Sequence, residues 1–562
     1  MTSRTSLFAG AGAGVLIALA AGAAAQATPT HRHRHHPVAA PAPREDGALK
    51  EEVSALKAQV DALQSWRDTE AANAAQTQAQ LQQVRTLLAE TQAREQAAEA
   101  QVQTQIETIP GEVKSAVAEA APKTDKLYMK GVSLQLGGFV AAEGLFRDHN
   151  EEADIGSSFS GIPYPNSALG HTNETRLTAR QSRITGLVQG DVTPQIHLSG
   201  YAEADFLGAA QTANSNESNS YQPRLRVFYT AVDWDRDFGG LHLLAGQSWS
   251  LATLYTNGLM PRSEDVPLTI DAQYVPGFTW ARQPQVRLTA DLDKKVWFAV
   301  SVENPQTTFS SSGQFLPGVS VLLDGAAGSE FNSINTLSLN RFPDVIGKVA
   351  LQEDLDGHLL HVEAFGLYRD FYARANDNGS IGNEGVTGGG VGGGAVFGLV
   401  PQVLDVQVSG AWGDGIGRYG SAQLPDVTLS VDGTLHPVPE WALLAGGTLH
   451  LGTQLDIYAY AGEEREQQTA FTNATATVFN GLGNPSYNNT NCDIEGDSCV
   501  GNTHYIEQAT VGFWDKPYIG SFGRFQWGIQ YSYTERHAFA GMGVAPVGTE
   551  NMIMTSIRYY PF

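Results

Sequence analysis

Gln195-Ile196-His197-Leu198-Ser199-Gly200-Tyr201-Ala202-Glu203-Ala204-Asp205-Phe206 alternates without a break. Successive side chains of an extended strand point to opposite faces. Ile196, Leu198, Gly200, Ala202, Ala204 and Phe206 therefore share one face, and His197, Ser199, Tyr201, Glu203 and Asp205 the other. A half-buried sheet in a soluble protein is written the same way. Two features favour a barrel in a membrane instead: the pattern recurs along most of the chain, and the chain ends on Phe562.

From about Ser133 to Phe562, period-two segments are separated alternately by short turns and long loops. The short turns include Asp191-Val192-Thr193-Pro194, Asp235 to Gly240, Asp291 to Lys294, Asp354 to Gly357 and Asp515-Lys516-Pro517. Long polar loops fall at 149–174, 207–222, 249–281, 305–342, 372–385, 414–438, 464–502 and 535–549. Short turns on one rim and long loops on the other is the asymmetry of an outer-membrane barrel. The count comes to about sixteen antiparallel strands. An even number lets the first and last strands meet on one rim and close the sheet without a free edge. Within 425–452 the turn falls either at Gly452-Thr453 or at Pro437-Val438-Pro439, and the second choice shifts the count by a pair. The run Gly388 to Gly394, broken only by Val391, is not followed by the lysine of a phosphate loop. Its flanks alternate, so it reads as smooth barrel wall that a loop or a second protomer can approach closely.

Composition agrees. Sixty glycines, 42% hydrophobic and 17% charged residues suit strands with one apolar and one polar face. A formal charge of −24 excludes nucleic acid as a partner, because a phosphate backbone needs a basic surface. His197, His242, His361 and His450 lie in strands without a motif that joins them to a serine. No nucleotide loop, zinc-protease motif or cysteine nucleophile stands out, so neither an enzyme nor a cofactor is expected.

The amino-terminal part reads differently. Arg4, the apolar stretch Leu7 to Leu19 and Ala23-Ala24-Ala25 form a cleavable secretory signal over residues 1–25, with a retained membrane anchor as the competing reading. Residues 26–46 are rich in His and Pro and read as a disordered segment. His31, His33, His35 and His36 are dense enough to capture zinc or nickel, although a plain disordered tail is the favoured reading. Leu49, Val53, Leu56, Val60 and Leu63, then Leu81, Val84 and Leu88, keep a seven-residue register, with Arg67, Glu70, Ala74 and Thr77 at the seam between. That predicts an α-helical coiled coil over 47–109, placed in the periplasm and on the order of 90 Å long. A single amphipathic helix is the alternative. A linker follows at 110–132, then the barrel at 133–562.

Cys492 and Cys499, the only cysteines, stand seven positions apart in an exported chain and predict a loop disulfide. Metal binding is the weaker alternative, since no histidine lies between them. Asp493, Glu495 and Asp497 alternate there like calcium ligands but lack the twelve-position pattern.

Alternation also assigns the lumen. With Leu225, Val227, Tyr229, Val286 and Leu288 on the lipid side, Arg183, Arg224, Arg226 and Arg287 point inward, as do Glu203, Asp205 and Glu303. Guanidinium groups in a narrow pore select anions and take carboxylates bidentately. The bland alternative is that these arginines pair with the inward acids and hold strands together. Glu264, Asp265 and Asp271 on the third long loop are candidates to face the arginines across a constriction. Trp441, Phe525, Trp527, Tyr531 and Tyr533 fall on the lipid face as an aromatic girdle.

The last strand, Asn551 to Phe562, is similar to the carboxy-terminal assembly signal of proteobacterial outer-membrane proteins in Tyr560 and Phe562, and departs from it at Arg558 and Ser556. Together with Ala179-Arg180-Gln181-Ser182-Arg183, Gly246-Gln247-Ser248-Trp249-Ser250, Arg282-Gln283-Pro284-Gln285-Val286-Arg287 and Glu303-Asn304-Pro305, the chain resembles the DcaP-type trimeric porins. The resemblance implies a homotrimeric sixteen-stranded diffusion channel in the outer-membrane lipid, with a third loop folded inward and a preference for small anionic, dicarboxylate-like solutes. A second reading is a structural anchor that tethers the envelope through its coiled coil to peptidoglycan.

Overall fold

The computed structural model describes residues 126–208, 216, 222–310, 318–322, 338–377, 379–475 and 479–562, with isolated positions between Ser54 and Ala89. The chain divides into two compact units, Met1–Ala121 and Pro122–Phe562.

The second unit is a barrel of sixteen antiparallel strands: β1 Val132–Arg147, β2 Arg183–Thr193, β3 Ile196–Asp205, β4 Arg224–Arg236, β5 Gly239–Trp249, β6 Arg282–Leu292, β7 Val296–Glu303, β8 Asp344–Leu355, β9 His358–Asp377, β10 Ser380–Val400, β11 Leu404–Asp414, β12 Pro439–Leu451, β13 Leu455–Glu466, β14 Thr503–Gly520, β15 Gly523–Ala538 and β16 Val547–Tyr560. β1 closes the ring. It pairs with β16 from Val140↔Tyr559 to Arg147↔Met552 and with β2 from Val132↔Gly190 to Phe139↔Arg183. A short strand, Leu127–Met129, pairs back on the start of β1, so strand begins inside the stretch expected to be linker. Every connection on one rim is two or three residues long, and the long connections lie on the other. The turn at 452–454 joins β12 to β13, so Pro439 opens a barrel strand and the stretch Pro437 to Pro439 is not a barrel turn.

Two connections differ from the expectation. β14 runs through Asp515-Lys516-Pro517 to Gly520, with its register slipping between Asp515 and Tyr518. Proline has no N–H for the ladder, so it marks a bulge here and the turn comes at 521–522. The stretch 372–385 is not a long loop either: β9 and β10 pair as far as Asp377↔Ser380.

The outer wall is apolar and bare of protein, with Leu225 51%, Val286 54% and Leu288 43% exposed. Such a face needs hydrocarbon, and closure of the ring leaves no backbone edge unpaired within it. Val227 and Tyr229, assigned to the lipid side, are instead buried toward the lumen. The register slips where Glu203↔Val227 gives way to Ala204↔Leu225, so Arg226 is an extra residue. That bulge points Arg226 and Val227 to the same side and reverses the phase beyond them.

The coiled coil is withdrawn. Among the described residues the only continuous helical elements are short 3-10 turns. The isolated described positions of that segment have helical backbone and are exposed, Val60 at a seam position included. A heptad stripe with Arg67, Glu70 and Thr77 at its centre lacks the apolar continuity that would cover it. The periplasmic placement of a helix and the tether through it fall with it. The signal segment, the tail with His31, His33, His35 and His36, and most of 47–121 lie outside the described residues.

Candidate functional site

Sixteen strands enclose more space than wall side chains fill. The third long loop, residues 250–281, fills part of it. Leu251, Tyr255, Ile270, Val275 and Phe278 on this loop are buried, packing on Trp249, Tyr458, Trp514 and Trp297 of the wall. Polar contacts pin the loop on all sides. Ile270 N donates to Gln530 Oε1 (2.6 Å), Gly277 N to Glu464 Oε1 (2.7 Å), and the Trp514 indole to Leu268 O (2.8 Å). The loop therefore crosses the lumen.

The sequence motifs are fittings for this loop. Gly246, at φ +134°, leaves no room for a Cβ, which would meet Phe228 O at 2.4 Å. The glycine lets β5 curl so that Trp249 enters the lumen. Gln181, beyond the break between Thr178 and Arg183, donates to Ile270 O and accepts from Arg558. On the glycine-rich wall, a Cβ at Gly394 would meet Leu254 of the loop at 2.7 Å, so bare backbone is what admits the loop there.

The inward charges separate into two groups. Arg183, Arg224, Arg226, Glu203 and Asp205 form one network: Arg226 donates to Glu203 (2.5 Å) and Asp205 (2.9 Å), Arg224 to both oxygens of Asp205 (3.0 and 2.8 Å), and Arg183 lies 3.5 Å from Glu203. Arg287 and Glu303 stand apart as loop anchors. Arg287, 1% exposed, donates to Tyr255 OH and Trp249 O, while Glu303 accepts from Leu251 N (2.9 Å) and Gln283 (2.6 Å). Of the loop acids, Asp271 is occupied by Ser157 and Gln273 N, and Asp265 meets the Gln407 amide. Glu264 and Asp271 line a cavity with the arginine network, and Asp265 does not. Burial pushes Glu264 and Asp265 each up to about 7.

Two cavities meet at Arg226. The first, about 430 Å³, is lined by Arg183, Arg226, Arg262, Lys516, Arg524 and Arg558 among others, with Glu203, Glu264, Asp271 and Asp456 as its acids. The second, about 300 Å³, is lined by Arg224, Arg226, Arg282 and Arg418 and by no carboxylate. Arg282 lies 5.1 and 5.2 Å from the rings of Trp249 and Trp280, and its Nε and one terminal nitrogen are buried without a hydrogen-bond partner. Arg282, Arg418 and Arg262 escaped the sequence reading because two lie in long loops and the third opens β6 on the phase of its lipid-facing residues. Arg558, a misfit in an apolar terminal pattern, is a lumen residue paired with Glu143 (2.9 Å), the outward phase of β16 being Ile553, Ile557 and Tyr559. Elsewhere, Cys492 and Cys499 are joined by a disulfide in the 467–502 loop.

No family model and no curated protein sequence matches the chain. Among solved structures, the outer membrane channel DcaP of Acinetobacter baumannii is similar at 18% identity and a TM-score of 0.54, over 77% of this chain and 99% of that one. The anion-selective porin from Comamonas acidovorans is more distant, at 11% identity and a TM-score of 0.41 over 76% of this chain and 99% of that one. The first of these likenesses is one of fold: this chain is built as an outer-membrane channel barrel is built.

Proposed function

We propose that the protein is a passive outer-membrane diffusion channel for small hydrophilic solutes, selective for anions and suited to dicarboxylate-like molecules. The cavity lined by four arginines and no carboxylate carries this reading. An arginine that already holds a carboxylate has little field to spare, and Arg226, Arg224 and Arg418 are of that kind. Arg282 is held by two indole faces in place of an acid, so its charge acts on whatever enters. Because Arg226 borders both cavities, a solute with two carboxylates would reach Arg282 with one while the other approaches Arg183 and Arg262. The similarly folded DcaP is itself an outer membrane channel, which supports this reading.

A homotrimer is part of the same proposal. The outward face of β2 and β3 carries Gly186, Gly200, Ala202 and Ala204 among larger apolar residues, and the side chains beside these small ones are bare, with Leu177 78% and Ile184 65% exposed. A second copy is the occupant that a low, smooth wall of this kind accepts. Planar-bilayer recording of the mature protein tests the channel. Stepwise conductance with a reversal potential favouring chloride over potassium is expected, in groups of three levels. Absence of conductance defeats the channel, cation preference defeats the selectivity, and single levels defeat the trimer.

A further inference from the structure

On the long-loop rim, away from the arginine network, β12 and β13 place Glu440 directly opposite Glu466. Both are buried, at 2% and 0% exposure. Glu440 Oε2 accepts from Ile416 N of the 415–438 loop (3.1 Å). Its Oε1 and both oxygens of Glu466 have no hydrogen-bond partner. Of the nearby cations, Arg369 is committed to Asp344 and Asp426, while Arg536 donates to Ile162 O (2.7 Å) and Thr503 Oγ1 (3.0 Å) and attracts Glu466 without hydrogen-bonding it. Glu464, the next acid along β13 on this side, is satisfied by Gly277 N and Ala422 N.

Two adjacent buried carboxylates cannot both stay ionised with nothing between them. Either they share a proton or a cation joins them. The rim location decides in favour of the cation, because hard divalent ions take carboxylate oxygens and are present outside cells at concentrations that suit sites of few protein ligands. We propose that Glu440 and Glu466 form a divalent-cation site of the calcium class, contributing three oxygens, which fastens the 415–438 loop to the wall. Since Arg418 of the anion cavity sits on that loop, the cation also fixes one side of the entrance.

The test is the apparent Tm of the full protein in detergent at pH 7.5, in calcium chloride against EDTA. Calcium is expected to raise Tm of the wild type by about 3–5 °C. Glu440→Gln and Glu466→Gln are each expected to lose that response while folding normally in EDTA, since each removes a repulsive charge. Glu535→Gln serves as the control, because Glu507, Glu535 and His537 form a separate, more open group with ligand atoms within 4.8 Å of one another. Retention of the response in Glu535→Gln supports the proposal. A wild type indifferent to calcium but stabilised at pH 5 shows a shared proton and overturns it. So does a response lost in Glu535→Gln and kept in Glu466→Gln. If one Gln variant does not fold, the other decides. Direct counting of bound calcium after dialysis should give one ion per wild-type chain, and none overturns the site.

Discussion

Two sides of the same lumen are built with buried cations and come out differently. On the β8–β9 side, Lys348 donates to Glu363 (2.5 Å) and to Thr253 O (2.7 Å), His361 bridges Glu363 and Gln352, and Arg369 binds Asp344 and Asp426. Each cation there has its acid, and loop atoms occupy what room is left. On the β2–β6 side the arginines outnumber the acids, Arg282 has aromatic faces for neighbours, and two cavities remain. An inward charge is therefore no sign of a transport role. It becomes one where its counter-charge is missing and space lies beside it.

The strongest way to break the comparison is to release the loop that separates the two sides. Arg287→Ala leaves Tyr255 OH and Trp249 O without their buried donor, a loss of about 2–4 kcal/mol of loop anchoring. Single-channel conductance is expected to at least double and to become noisy. A variant with wild-type conductance would show that the loop does not set the bore. Next comes charge. Arg282→Ala should lower the chloride-to-potassium permeability ratio about fivefold, the worth of one nearby charge in a water-filled passage. Lys348→Met/Glu363→Leu removes a neutral pair from the filled side and should leave that ratio unchanged. Equal effects of the two would erase the distinction drawn between the sides.

A smaller effect separates pH 8 from pH 6. Glu264 titrates near 7, so it is charged above that value and neutral below it, and its charge opposes that of Arg183 and Arg226 in the same cavity. Acidification should raise anion preference about twofold, by loss of one partly screened charge. In Glu264→Gln the reversal potential should sit at its acid value throughout. A pH dependence that survives this substitution belongs to some other group.

How much of this could be read from the chain follows from what each signal encodes. Alternation encodes direction, so the strands, the closure and the inward aim of Arg226 and Arg287 were legible, as was the choice of Gly452 over Pro437 for a turn. It does not encode partners. Nothing in the spacing of Arg287 and Tyr255 says that one holds the other, and nothing around Asp271 says that Ser157, from a distant loop, donates to it. Alternation also fails at a bulge. Val227 and Tyr229 face the lumen against the alternation because Arg226 adds a residue, and a separate register slip beside Pro517 carries β14 past an apparent turn. Arg418 and Arg262 belong to loops, where no period constrains direction, and the Gly388 to Gly394 run hinted at a close approach without naming Leu254 as the visitor.

The weakest expected effect comes from the disulfide, and its weakness is informative. Cys492 and Cys499 close a loop of eight residues, which in the chain-entropy view is worth about 2–3 kcal/mol to local order. That segment also touches the first long loop, where Asn166 N donates to Cys492 O (3.0 Å) and its amide to Asp497 O (2.9 Å). Yet no residue of it lines either cavity. Cys492→Ser/Cys499→Ser should therefore show faster proteolytic nicking within 467–502 while conductance and ion preference stay at wild-type values. Should selectivity change with the disulfide, the entrance would extend well beyond Arg418, and the difference between the two sides of the lumen would cease to account for which ions pass.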